Sequence, residues 1–175
     1  MQKEQIIRTN RGDIIKVRVI KIIIAVLIVS GLAVMLFPYI AQWLSAKNQQ
    51  LAIKTYFDNT NNIAQDDINK RIDDVSAYNN IVRQQNYDKN RDSYIDEYRN
   101  YCKELDAGGN NIICVVEVPK INVKLPVYAG ISDAELEKGA GHLEGSSFPV
   151  GGNGTHCCIS AHRGLAYSLM FRDLD

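Results

Sequence analysis

The sequence has no excess of charge of either sign: 20 Lys and Arg balance 20 Asp and Glu across 175 residues. A chain without net charge lacks the global signature of a nucleic-acid binder and of an acidic tail, which argues against a polyanion partner. Paired cysteines are missing as well. The four cysteines stand at 102, 114, 157 and 158 with no C-x-x-C pair, so the usual structural zinc patterns are absent and a disulfide framework is disfavoured. A vicinal bridge between Cys157 and Cys158 would strain an extended backbone, and the plain reading of both is small apolar filling beside a core. Proline is scarce too: only Pro38, Pro119, Pro126 and Pro149 occur, and none falls within residues 45–107.

One long apolar run is present. Residues 22–41 read IIIAVLIVSGLAVMLFPYIA, close to the roughly 20 residues that cross a bilayer core. Lys3, Arg8, Arg11, Lys16, Arg18 and Lys21 precede it against only Glu4 and Asp13, whereas little beyond Lys47 and Lys54 comes after. The positive-inside rule then keeps residues 1–21 as a cytoplasmic basic tail, passes a single span over 22–44 through the bilayer and exports the remainder of the chain. Tyr39 and Trp43 suit the outer headgroup region. A cleaved signal peptide is the rival, but the run exceeds the usual apolar stretch of about 7 to 15 residues and no clear small-x-small site comes directly after it.

Residues 45–107 change to Asn, Gln, Asp, Lys and Tyr, with apolar residues at helical intervals: Ile68, Ile72, Val75 and Val82 in one stripe, Ile53, Phe57 and Ala64 before it. The pattern predicts two helices in a polar extracellular stalk whose apolar stripe packs on the next domain. A break is expected within QQNYDKNRD (84–92), where Asn and Asp compete for the backbone.

After Gly108-Gly109-Asn110-Asn111 the period switches. Residues 112–118, 121–123 and 125–128 read as strands punctuated by proline, and Ser132 with Glu135 forms the capping box of a short helix. About 60 residues remain after Asn111, a size at which a domain alone is at best marginally stable, and an unclosed barrel leaves a strand edge unpaired. The expectation is that residues 45–175 by themselves form no stable closed barrel.

The densest chemistry lies in GHLEGSSFPVGGNGTHCCISAHRGL (141–165), with three histidines, two cysteines and an arginine. The apolar run Cys157-Cys158-Ile159 should bring His162 to the point where a strand opens into a loop, a common address for a catalytic side chain. His142 and His156 read as hydrogen-bonded structural residues. A zinc site of His142, His156, His162 and water is the sharper alternative, although nothing in the spacing enforces it.

VPKINVKLPVYAG (118–130), GHLEGSSFPVGG (141–152) and THCCISAHRGL (155–165), in that order and spacing, resemble the sortases, most closely the pilus-assembling class C members. The resemblance implies a mainly β chain: the first part of a sortase-type β-barrel over 108–175, incomplete, behind a transmembrane helix and a helical stalk. It implies a cysteine transpeptidase that cleaves LPxTG-like signals of pilin or surface-protein precursors through a thioester and passes the acyl group to an acceptor lysine or cell-wall amine, with no cofactor. His162 matches the family's catalytic histidine. The nucleophilic cysteine, in a TLxTC-type strand, and the essential arginine have their family places beyond Asp175, so this chain alone is expected to be inactive. Cys158 and Arg163 flank the histidine on its own segment and do not replace them. Class C members carry an Asp-Pro-aromatic lid in the stalk region; this chain has no such tripeptide, and Asp92 with Tyr94, or Asp88 with Tyr87, would have to fill its place. A non-enzymatic membrane-anchored binding or assembly module, or a decayed gene product, is the competing class.

Overall fold

The apolar run 22–41 lies within the longest element, the helix α1 (Gln2–Thr60), which extends into polar sequence on both sides. The structure, a computed structural model, describes residues 2–61, 63–84, 91–106, 109–164 and 170–174, without the side chains of 2–15 and 91–94. Two compact units result, Met1–Ala41 and Gln42–Asp175.

In the first unit Ile22, Val26, Leu27, Val29, Val34 and Phe37 are all more than half exposed. Water disfavours such a surface, whereas a bilayer core accepts it. Among the described residues α1 is the one helix long and apolar enough to cross a membrane, with a mean hydropathy of 2.8 over its most apolar 18 residues.

In the second unit α1 continues without a break through residues 45–60, and two further helices succeed it, α2 (Gln65–Gln84) and α3 (Arg91–Leu105). The expected break near 84–92 falls between α2 and α3, with 85–90 outside the described residues. A second break, between Thr60 and Gln65, has no counterpart in the sequence pattern. It lies in an Asn-rich stretch where Thr60 Oγ1 donates to the Tyr56 carbonyl at 2.9 Å, a local bond that competes with further helix. Ile53 is buried as expected, while Phe57 is partly exposed and Ala64 lies in the connection between helices.

The strands are β1 (Ile112–Val118), β2 (Val123–Ala129), β3 (Ala140–His142) and β4 (Ile159–Ser160), in one sheet of order β1-β2-β3-β4. β1 and β2 pair antiparallel, with a bulge between Ile112 and Cys114. Between them Pro119–Ile121 form one 3-10 turn, and Asn122 takes the left-handed conformation at φ 52° that closes it. Thus 121–128 form one strand and a turn rather than two strands. Pro126 does not break β2, because its pairing with β3 begins only at Val127, leaving Pro126 with one partner strand, at Val115.

β2 returns to β3 in parallel through the one-turn helix α4 (Asp133–Leu136). Ser132 is its N-cap residue, but its Oγ donates to the Glu135 carboxylate instead of accepting an amide, so the two residues pair side chain to side chain and the expected capping box does not form. Gly141 is required in β3, since a Cβ there would meet the Gly130 carbonyl oxygen at 2.3 Å.

Val75 and Tyr78 of α2, Tyr98 and Cys102 of α3, Ile113, Leu125, Val127, Ala140, Phe148 and Met170 form a single core. The expected mainly β class is therefore corrected: helices of 59, 20 and 15 residues outweigh strands of seven, seven, three and two. The helices looked like solvated stalk because each buries only a few side chains. Val75 at 1% exposure and Tyr78 at 0% suffice, as full burial of such a side chain contributes about 2 kcal/mol.

Candidate functional site

β4 is two residues long and pairs with β3 through Gly141–Ser160 and His142–Ile159. His162 comes two residues after its end at Ser160, so the strand ends and the histidine stands in the loop beyond, as its sequence position implied. It is partly buried, and its carbonyl accepts from the amides of Met170 at 3.1 Å and Phe171 at 3.2 Å. Those two bonds hold the backbone of the histidine. Arg163 and Gly164 are exposed.

The approach is built from two facing backbone segments, 143–148 and 156–158. Leu143 N–H donates to the Cys158 carbonyl and Ser147 N–H to the His156 carbonyl, both at 2.9 Å. Side chains complete the ladder: Ser146 Oγ accepts from Cys158 N–H at 3.1 Å, and Ser147 Oγ from His156 N–H at 3.3 Å.

His142 anchors the base of this ladder. Its Nε2 lies 3.0 Å from the Ser147 carbonyl, which can only accept, so Nε2 carries the hydrogen and Nδ1 accepts from Tyr98 Oη at 3.0 Å. The ring lies nearly parallel to those of Tyr98, 5.5 Å away, and Phe148, 5.0 Å away, and these two are themselves 5.3 Å apart, so the three rings form a triangular cluster. Burial holds the His142 pKa below its usual value, the Ser147 bond working weakly the other way.

Two α2 side chains reach the same loop. Asn79, 2% exposed, gives its Nδ2–H to the Phe148 carbonyl at 3.1 Å and receives the Phe148 N–H on Oδ1 at 2.7 Å. Arg83 donates to the Asn153 carbonyl at 3.1 Å. Sequence reasoning missed Asn79 and Tyr98. The available signal was position: Tyr78 and Asn79 fall three and four residues after Val75, on the face the stripe buries.

The four cysteines are free thiols. Burial pushes Cys102 and Cys114 up to about 12, and raises Cys157, with Cys158 beside it adding to the effect. Such thiols hold little thiolate near neutral pH, the reverse of an activated nucleophile. Only 159–160, not 157–159, form strand, yet Cys157 and Cys158 are half-buried beside the ladder, as small filling residues would be.

The histidines do not converge. His142 spends both ring nitrogens on internal bonds, His156 is exposed, and no group of three or more His, Cys, Asp or Glu side chains is placed to hold a metal ion among the described residues. Asp92 and Tyr94 fall in the first turn of α3 with side chains outside the description, and Tyr87 and Asp88 lie outside the described residues.

Residues 116–175, which include the ladder and His162, match the model of the sortase domain. Sortase D of Bacillus subtilis (strain 168) is 40% identical over 53 residues, 30% of this chain and 26% of that protein. Among solved structures, sortase C1 of GBS pilus island 1 is 33% identical, with a TM-score of 0.61 over 72% of this chain and 59% of that one. Sortase C of Streptococcus pneumoniae is 31% identical, with a TM-score of 0.56 over 70% of this chain and 60% of that one. The fold is of the sortase type with a partial sheet, strongly similar to class C pilus sortases of streptococci, and the chain spans less than two thirds of each of these relatives.

Proposed function

We propose that this chain, which carries a sortase domain over residues 116–175, contributes the membrane anchor, the N-terminal helices and the acid/base histidine of a class C sortase-type cysteine transpeptidase. The observation that carries the reading is the place of His162, two residues past the end of β4 within the matched segment. In the proposed reaction a cysteine thiolate attacks the threonine carbonyl of an LPxTG-like signal and the peptide C–N bond breaks. The imidazolium of His162 protonates the departing amine, and a lysine or wall amine then displaces the thiol.

The substrates are pilin or surface-protein precursors, and the N-terminus lies in the cytoplasm, supported by the basic residues ahead of the apolar run. The four segments are the tail 1–21, the membrane helix 22–44, the helices of 45–107 and the sheet of 108–175. Asp92 and Tyr94, at the start of α3, are the proposed lid pair.

Burial keeps Cys102 and Cys114 protonated, while Cys157 and Cys158 share the histidine's own segment, so these 175 residues alone are expected to form no thioester with a sorting-signal peptide. Mass spectrometry of the mixture checks this, and an acyl adduct on Cys158 would overturn it. Joined to the TLxTC strand and the arginine strand of a class C relative, the chain should cleave such a peptide. His162→Ala should then lower the rate at least about 100-fold, and full activity of that variant would remove His162 from the mechanism.

A further inference from the structure

The loop between β3 and β4 contains four glycines at positive φ, Gly145, Gly151, Gly152 and Gly154. Backbone of that composition is costly to order, so its single conformation must be imposed from outside. The strongest outside hold is Asn79, 69 residues upstream, which takes both the N–H and the C=O of Phe148 in a buried two-bond clamp. If only packing were needed there, an apolar side chain would serve without the desolvation penalty of a buried amide.

Phe148 adjoins Ser147, whose amide and hydroxyl both pair with His156; Ser146 and Leu143 pair with Cys158; β4 and His162 come next. Backbone and serine side-chain bonds thus link the clamp to residues 156–158, and the chain runs from there through β4 to His162. We infer that Asn79 is a positioning residue for His162, gripping Phe148 so that the 143–158 ladder delivers β4 and the imidazole in one geometry. The N-terminal helices then act in catalysis by holding the histidine loop, beyond tethering the domain. This rests on the reading of His162 as the acid/base group.

The test uses the full 175-residue chain in detergent micelles, wild type and Asn79→Leu, monitored by amide hydrogen exchange and the imidazole NMR signal of His162. Exchange at Leu143, Ser147, Phe148 and Cys158 should accelerate roughly tenfold or more, with the His162 signal shifted or broadened, while the β1–β2 amides of Val116 and Leu125 keep their rates. Uniform acceleration throughout the unit would reduce Asn79 to a general stability role, and an unchanged His162 signal would overturn the inference.

If Asn79→Leu fails to fold, Asn79→Asp carries the test. Its carboxyl can donate to the Phe148 carbonyl only while protonated, so the His162 signal should differ from wild type at high pH and rejoin it, at matched pH, as the solution is acidified. Absence of that recovery would likewise overturn the inference. Neither readout involves a substrate, so an inactive His162 and a dispensable Asn79 give separate results.

Discussion

Tyr98 and His142 meet twice: the phenol oxygen lies 3.0 Å from Nδ1, and the rings stack 5.5 Å apart with planes 13° from parallel. One residue of α3 thereby supports the tautomer that the Ser147 carbonyl selects and packs against the ring of a β3 residue 44 positions away. Tyr98→Phe keeps the stack and removes the hydroxyl, leaving buried Nδ1 without its donor. The Gly130 amide, shared between Tyr98 Oη and the His142 carbonyl, retains the latter. A loss of about 1–3 kcal/mol is expected in urea unfolding of the detergent-solubilised chain. An unchanged midpoint and slope would mean that Nδ1 finds another donor.

His142 also gives the fold an acid limit. Because burial lowers its pKa, the unfolded chain takes up a proton more readily than the folded one. Its contribution to stability is complete above the usual histidine value of 6.5 and is lost as pH falls below that value toward the depressed folded one. Melting temperatures measured from about pH 7.5 to about pH 5 should therefore decline. In His142→Gln, which cannot ionise, the decline should flatten even though the starting stability is lower. Parallel declines in both proteins would assign the effect to other groups.

The thiols predict a reactivity order. Cys102 and Cys114, pushed to about 12 by burial, should resist alkylation in the folded chain at neutral pH and react at ordinary rates after denaturation. Peptide mapping after brief iodoacetamide treatment should find label at Cys157 or Cys158 before either of them. Early modification of Cys102 would indicate that α3 opens readily from the core.

Local features of the site were legible before any tertiary contact was known. A short strand that opens into a loop before His162 needs only the apolar run and the glycines around it. The membrane-spanning length of α1 needs only an unbroken apolar composition. The short helix after Ser132 depends on residues adjacent in sequence, and the family blocks 118–130, 141–152 and 155–165 are contiguous motifs, whereas the turn at Asn122 was hidden in a stretch that reads as strand. By contrast the mainly β class does not hold, because the membrane and stalk helices expected from the sequence outweigh a sheet of four short strands. In α2, Tyr78 and Asn79 are almost fully enclosed although Ile72 in the same stripe is largely exposed.

What the sequence by itself determined, then, is where the chain can enter a bilayer and which histidine follows β4 into a loop, because backbone propensity and hydropathy act over a few neighbouring residues. Only the tertiary structure decided that Asn79 and Tyr98 hold the loop behind His162, and that His142 is consumed by that support. Those roles depend on hydrogen bonds across 69 and 44 residues. An amide or a phenol within a polar helix has the same local pattern whether it faces water or a buried backbone far along the chain.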